Sequence, residues 1–80
     1  MRLNIINSEN TLFTGECTLV QVPGISGQFE ILDRHAPIIS LLGQGKIKVQ
    51  TPDEKETFFD IEGSGIVKVN KNQVAVLISG

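Results

Sequence analysis

His35 and Cys17 are the two residues best suited to catalysis or metal binding, and each is the only residue of its type in the 80-residue sequence. A Ser-His-Asp or Cys-His site needs a nucleophile, a base and an orienting group that converge in one pocket. His35 follows two charged residues and precedes Ala36-Pro37, which indicates an exposed, rigid loop. A single cysteine excludes an internal disulfide and a multi-cysteine zinc site, so Cys17 is interpreted as a small apolar residue. We predict no catalytic residue and no metal site.

The acidic residues and the glycines do not form a recognisable site either. Asp53, Glu54 and Glu56 are spread through one turn, without the spacing of a general acid and base. The segment Gly24-Ile25-Ser26-Gly27 follows a strand, but it lacks the Lys-Ser/Thr ending of a phosphate loop and leads into another β run. We therefore interpret both segments as turns and predict no cofactor.

Charge and composition exclude several partners. The net charge is -2 and the pI is about 5.2, the wrong sign for a domain that binds nucleic acid through its phosphates. Four Phe without Tyr or Trp make a poor base-stacking platform, which also disfavours an oligonucleotide-binding barrel. No apolar run approaches the roughly 18 residues of a membrane span, and the first residues do not resemble a secretory signal. We predict neither a nucleic-acid partner nor a direct membrane span.

Short alternating runs, broken by Gly, Pro, Asn or Asp, predict an all-β domain. Lys46 to Gln50 alternates most cleanly, with Ile47 and Val49 on one face. The predicted strands are 3–7, 11–16, 18–22, 28–32, 38–42, 46–50, 57–62, 66–69 and 74–78. Because so many short strands in one flat sheet would expose an apolar face, we predict one domain, residues 1–80, folded as a flattened β-sandwich or barrel of mostly antiparallel strands in two sheets.

Phe58 and Phe59 are adjacent within one predicted strand. Neighbouring side chains of a strand point to opposite faces, so one ring should enter the core while the other is exposed or covered by a partner. This pair is a small indication of an interface.

Seven short motifs occur in a fixed order along the chain. They are Asn10–Glu16 (NTLFTGE), Val20–Gly24 (VQVPG), Gly27–Leu32 (GQFEIL), His35–Ile39 (HAPII), Leu42–Ile47 (LGQGKI), Glu62–Val69 (EGSGIVKV) and Asn72–Leu77 (NQVAVL). Each motif is weak alone, but together they cover essentially the whole sequence. In order and spacing they resemble the epsilon subunit of F-type ATP synthases, the counterpart of the mitochondrial delta subunit.

The resemblance implies a sandwich of about ten strands at the foot of the central stalk, bound to the gamma subunit and seated on the loops of the membrane c-ring. Such a rotor subunit is non-catalytic and supports the coupling of proton or ion translocation to ATP synthesis. It would be a peripheral protein on the cytoplasmic face of a bacterial inner membrane, as part of the whole ATP synthase.

The resemblance also implies two sets of contact residues. The expected c-ring-facing residues are Gln28, Glu30, Asp33 and Arg34. The expected gamma-facing residues are His35, Ala36, Pro37, Ile38 and Ser40. This chain departs from the family at Gln28, where an acidic residue is usual, and at Glu30, where a glycine is usual. Because positions 28 and 30 share a strand face, we hypothesise that Glu30 supplies the missing carboxylate.

A second departure concerns the C-terminal helical hairpin, through which many relatives restrain ATP hydrolysis. Nothing in these 80 residues corresponds to it, so we expect this domain to lack that inhibition. A swinging-arm carrier, which is also a small β-sandwich with a modified lysine at a hairpin tip, is the competing interpretation. Lys55 is its nearest candidate, but the Met-Lys-Met context of biotin attachment is absent. A small-ligand β-barrel and an unassigned adaptor are further alternatives.

Overall fold

A computed structural model describes residues 1–79, and Gly80, the last residue of the predicted domain, lies outside the described residues. The described residues form nine strands and no helix. The strands are β1 (Arg2–Ile6), β2 (Thr11–Glu16), β3 (Leu19–Gly24), β4 (Gly27–Leu32), β5 (Ile38–Leu42), β6 (Gly45–Gln50), β7 (Glu56–Ile61), β8 (Ser64–Asn70) and β9 (Gln73–Ser79). The predicted all-β fold is confirmed, and each predicted strand overlaps an observed one.

The strands are hydrogen-bonded in the order β2-β1-β9-β8-β5-β3-β6-β7, with β4 paired to β3. Neighbouring strands are antiparallel except for β1 and β9, which run parallel. The two end strands of this order lie close to each other. The Phe13 ring of β2 contacts the Phe59 ring of β7 edge-on, with centroids 6.0 Å apart. The sheet is therefore curled around its hydrophobic core.

Strand β3 makes the corner between the two layers. Its first residues, Leu19 to Gln21, pair with β6, whereas Gly24 pairs with Leu42 of β5. Pro23 lies between these two pairings, and it lacks the N–H that a continuous ladder would require. Its carbonyl oxygen instead accepts a hydrogen bond from the Gly43 N–H at 2.9 Å. The chain can thus leave one layer and join the other within a single strand.

The core consists of alternate residues of the strands, as the period of a pleated sheet requires. Ile47 and Val49 of β6 are fully buried, as predicted, and Phe59 packs against the core while Phe58 is exposed. The predicted opposite orientation of the two phenylalanines is therefore confirmed. The other fully buried side chains are Leu3, Ile5, Val20, Val22, Ile31, Leu42, Val67, Val69, Val74 and Val76.

The strand connections lie at two opposite ends of the sandwich. The turns 7–10, 24–27, 43–44 and 62–63 form one end, here called the hairpin end. The connections 17–18, 33–37, 51–55 and 71–72 form the other, the loop end. At the hairpin end a Cβ atom on Gly24 would lie 2.7 Å from the Gly27 carbonyl oxygen, so the close hairpin needs glycine there. Predicted site residues at the same end can contact one partner together, whereas residues at opposite ends are a whole strand length apart.

Two isoleucines of opposite burial test the core assignment. Ile47 is fully buried, whereas 67% of Ile39 is exposed. We expect Ile47→Ala to lower the free energy of unfolding by about 2–5 kcal/mol, since it leaves a cavity, and Ile39→Ala to lower it by less than about 1 kcal/mol. Urea unfolding followed by circular dichroism measures both, and equal losses would contradict the assignment.

Candidate protein-interaction surface

The outer side of strands β5, β8 and β9 is apolar. Leu41 lies opposite Ile66, and Ile66 lies opposite Leu77, so these three side chains form a row across the strands. Ile39, Lys68 and Ala75 form the next row toward the loop end. We call these six residues the apolar face.

Solvent reaches most of this surface. The exposed fractions are 67% for Ile39, 56% for Leu41 and 46% for Leu77. Ile25, exposed by 66%, continues the surface at the hairpin end, because its N–H donates to the Leu41 carbonyl oxygen at 3.1 Å. Burial of a fully exposed aliphatic side chain is worth about 1.5–3 kcal/mol, and each of these partly exposed side chains can contribute the corresponding fraction of that value. Contiguous aliphatic residues of this kind are typical of a protein-interaction site.

The outer side of β6 and β7 in the other layer is different, because its charges are paired within the chain. Lys46 Nζ lies 2.8 Å from Asp60 Oδ1, and Lys48 Nζ lies 3.8 Å from Glu56 Oε2. Phe58 is exposed on this side, directly opposite Lys48 in the register. This pair of strands is suited to water, although Leu32 of the neighbouring β4 is exposed by 50%. The aliphatic residues of the apolar face are contiguous across three strands, which makes it the better candidate for a permanent contact.

The residues of β5 that the structure exposes are not the ones predicted to face gamma. Ile38 is half-buried and packs against the core, and Ser40 lies on the same side of the strand. Ile39 and Leu41 point outward instead. The predicted gamma-facing set contains Ile38 and Ser40 but neither Ile39 nor Leu41, because the resemblance names a segment and not the side of the strand that each residue faces. Leu41 and Leu42 are the same residue type, so the sequence of β5 alone does not indicate which of them faces the core.

The remaining gamma-facing candidates, His35, Ala36 and Pro37, lie in the connection from β4 to β5 at the loop end. His35 Nδ1 lies 2.8 Å from the Ala36 carbonyl oxygen, and the His35 N–H donates to the Leu32 carbonyl oxygen. A groove of about 450 Å³ joins this loop to the apolar face. Its lining residues are Pro37, Ile38, Ile39, Lys68, Val69 and Asn70.

The predicted c-ring-facing residues do not lie together. Gln28 and Glu30 are exposed on the outer side of β4, next to the hairpin end, which agrees with the prediction that they share a face. Asp33 and Arg34 follow β4 at the loop end, about 17 Å from Gln28 along an extended strand. One flat partner surface at the hairpin end could contact the first pair and would leave the second pair free.

Asp33 is instead part of a hydrogen-bond network that closes the loop end. The Met1 ammonium donates to Asp33 Oδ1 at 3.1 Å and to the Cys17 carbonyl oxygen at 3.1 Å. Asn72 Nδ2 donates to the same carboxylate at 2.9 Å, while Asn72 Oδ1 accepts from the Arg34 N–H at 2.8 Å. The network ties four separate parts of the chain together, namely Met1, Cys17, the pair Asp33 and Arg34, and Asn72.

This network shifts two pKa values. The hydrogen bond from Asn72 comes first among the causes that hold the pKa of Asp33 below its ordinary value, followed by the bond from the Met1 ammonium. Burial acts to lower the pKa of that ammonium, but the hydrogen bond to Asp33 and the charges of Asp33 and Glu16 outweigh it, so the ammonium pKa is raised. Both groups are therefore held in their charged forms.

Within residues 1–79 there is no group of three or more His, Cys, Asp and Glu side chains that could hold a metal ion. No helix in this part of the chain is long and apolar enough to cross a membrane. Lys55, the carrier candidate, lies in the exposed turn after Gln50, 3.8 Å from Asp53. The apolar face is therefore the main candidate for a protein-interaction surface among the described residues.

Comparison with known proteins gives one family. The family described as "ATP synthase, Delta/Epsilon chain, beta-sandwich domain" matches residues 1–80. An ATP synthase epsilon chain of Chlorobium limicola is 37% identical over 76 residues, which are 95% of this chain and 85% of that protein. Epsilon chains of Nitratiruptor sp. and Stenotrophomonas maltophilia strain K279a are 36% and 40% identical, and the chain covers 61% and 54% of their lengths. The chain thus spans little more than half of several relatives.

Solved structures confirm the fold. A chain from the mitochondrial ATP synthase of Euglena gracilis, a structure that contains OSCP, F1 and c-ring, matches with a TM-score of 0.87 at 18% identity. That match covers 95% of this chain and 48% of the other. A chain from the central stalk and c-ring of the Tetrahymena thermophila mitochondrial enzyme matches with a TM-score of 0.83 at 10% identity, over 99% of this chain and 63% of the other. The sandwich is preserved at very low sequence identity.

Asn72→Gly tests the loop-end network. Asn72 has a φ of 60°, which glycine adopts without strain, so in the folded state this substitution removes the side-chain amide and leaves the backbone in place. Its effect on the entropy of the unfolded chain does not depend on pH. We expect the pKa of Asp33 to rise toward its ordinary value, about 3.9. A carboxyl group whose folded pKa is lowered stabilises the fold above its unfolded pKa, and that stabilisation disappears as the pH falls through the folded pKa. The variant should therefore lose stability relative to wild type at neutral pH, and the difference should shrink in acid.

The measurement is an NMR titration of the Asp33 carboxyl carbon, combined with urea unfolding at several pH values. Asp53→Asn is the control, because its carboxylate lies at the same end but bonds to Thr51 and not to Asn72. An unchanged Asp33 titration in Asn72→Gly would refute the assigned cause.

Proposed function

Because this chain belongs to the family of ATP synthase delta and epsilon chains, we propose that it is a non-catalytic rotor subunit, which connects the gamma subunit of the central stalk to the membrane c-ring. In this role it supports the coupling of proton or ion translocation to ATP synthesis. It performs no chemistry itself. Its place is the periphery of a bacterial inner membrane, on the cytoplasmic face, within the whole ATP synthase.

The apolar face is the observation that carries the proposal. A small β-sandwich needs one face of each layer for its core, yet this chain also presents Ile39, Leu41 and Leu77 to solvent on the outer side. A permanent partner removes that surface from water and adds stability to a fold of this size. Gamma is the proposed partner, and the groove beside Pro37 extends the contact toward the loop end.

The hairpin end is the proposed seat on the c-ring. Gln28 and Glu30 point outward near this end, and Ile25 is exposed at the tip of the same hairpin. Asp33 and Arg34 are left out of this contact, because they lie at the opposite end of β4. A rotor subunit attached at one end and along one face can pass displacement between its partners, since a closely packed core deforms little.

The gamma contact is tested with two exposed apolar residues on opposite outer sides. Ile39→Asp places a charge on the apolar face, and Phe58→Asp places one on the other layer. We expect Ile39→Asp to weaken binding to the gamma subunit of the same genome by at least about thirtyfold, and Phe58→Asp by less than about threefold. Isothermal titration calorimetry with purified proteins measures both. The proposal fails if wild type does not bind gamma, or if the two variants lose affinity equally.

The c-ring contact is tested at Glu30. If its carboxylate substitutes for the acid that relatives carry at the position of Gln28, Glu30→Gln should weaken attachment of the gamma complex to isolated c-rings by about fivefold or more. Gln28→Ala should have the smaller effect. Co-sedimentation of the complex with c-rings measures the attachment. Unchanged attachment for Glu30→Gln together with disruption by Gln28→Ala would rule the substitution out.

A further inference from the structure

Lys68 lies within the apolar face without a counter-charge. Its partners in the register are Ile39 on β5 and Ala75 on β9. The strands β1, β5, β8 and β9, which lie side by side in this layer, contain no Asp or Glu. Within residues 1–79, the ion pairs to carboxylates come from the Met1 ammonium, Lys46, Lys48 and Lys55, and none comes from Lys68.

The two lysines of β6 provide the contrast. Lys46 and Lys48 lie on the outer side of the other layer, and each has a carboxylate of β7 within ion-pair distance. Those charges are balanced before any partner arrives. A partner that covers the apolar face would remove water from Lys68, and a buried ammonium without a counter-charge strongly opposes association.

The surface around Lys68 also has room for a side chain of a partner. The groove of about 450 Å³ lies on the side of Pro37 and Ile39. A second groove of about 290 Å³ lies on the side of Asn4 and Ala75. Lys68 lines both grooves, so a partner residue that enters either one meets the ammonium.

We propose that Lys68 determines the specificity of the apolar face, by selecting a partner surface in which a carboxylate is flanked by aliphatic side chains. The aliphatic groups cover Ile39, Leu41 and Leu77, and the carboxylate pairs with Lys68, which lies between Ile39 and Ala75. The identity of the partner as gamma rests on the function proposed above. The chemistry that the partner must present follows from the charges of this chain alone.

A second copy of this chain does not meet that requirement. A two-fold dimer brings the same patch of both copies together. Because the strands of this layer that flank Lys68 have no carboxylate, such a dimer would bury two ammonium groups and no acid. The charge pattern therefore favours a different protein.

The test compares Lys68 with Lys46 in binding to the gamma subunit from the same genome. We expect Lys68→Met to weaken binding by about tenfold or more and Lys68→Glu by about a hundredfold or more, while Lys46→Met stays within about twofold. The dependence of affinity on salt should also become shallower in Lys68→Met than in wild type. Thermal unfolding of each variant checks the fold, which an exposed lysine without in-chain bonds should leave unchanged.

Binding of Lys68→Met within twofold of wild type, with the same salt dependence, would overturn the inference, because the ammonium would then reach water at the rim. Failure of the wild-type chain to bind gamma would overturn the proposed function and, with it, the identity of the partner. The two failures are distinguishable, since the first occurs in a complex that forms and the second in one that does not. A wild-type chain that dimerises by itself, and loses the dimer in Ile39→Asp, would overturn the exclusion of a second copy.

Discussion

The period of two in a β-strand is the constraint on which the surface of this protein depends. Strand β9 is apolar at five consecutive positions, Val74 to Ile78, and β5 is apolar at four of its five positions. A pleated strand directs alternate side chains to opposite sides, so burying Val74 and Val76 forces Leu77 outward. The core and the apolar face are thus two sides of the same strands. A shift of one residue in the register of these strands would move the core residues to the surface and the residues of the apolar face into the core.

This constraint links stability to assembly. An 80-residue chain buries a smaller fraction of its surface than larger domains do, so its fold gains usefully from a partner that binds only the native state. The same aliphatic residues that could bind such a partner are unfavourable in water when it is absent. The opposite layer avoids this problem with cross-strand ion pairs, such as the one between Lys46 and Asp60. The apolar face is therefore suited to a protein partner, whereas the outer side of β6 and β7 is suited to solvent.

The strands could be predicted from sequence because alternation and turn residues are local signals. The register between strands is not local, and this is why the contact residues were harder to place. The sequence predicts a gamma contact in the segment from His35 to Ser40, but which side chains of β5 face outward depends on its pairing with β8, where Ser40 lies opposite the buried Val67. In the same way, Gln28 and Asp33 are close in sequence, and only the extended path of β4 shows that they lie at opposite ends.

The loop end illustrates what a small sandwich needs besides its core. Its connections are joined through single side chains, and Asn72 alone contacts both Asp33 and the Arg34 N–H. Each such hydrogen bond contributes little to the free energy of folding. Together they link segments that are far apart in sequence, which restricts local unfolding at an end where the hydrogen bonds between strands stop. The proposed role, passing rotation between partners, requires the ends of the sandwich to keep a fixed position relative to its faces. In this fold the alternation of side chains along the strands fixes the faces, and the polar network fixes the loop end, so the apolar face keeps a defined orientation relative to the loop end.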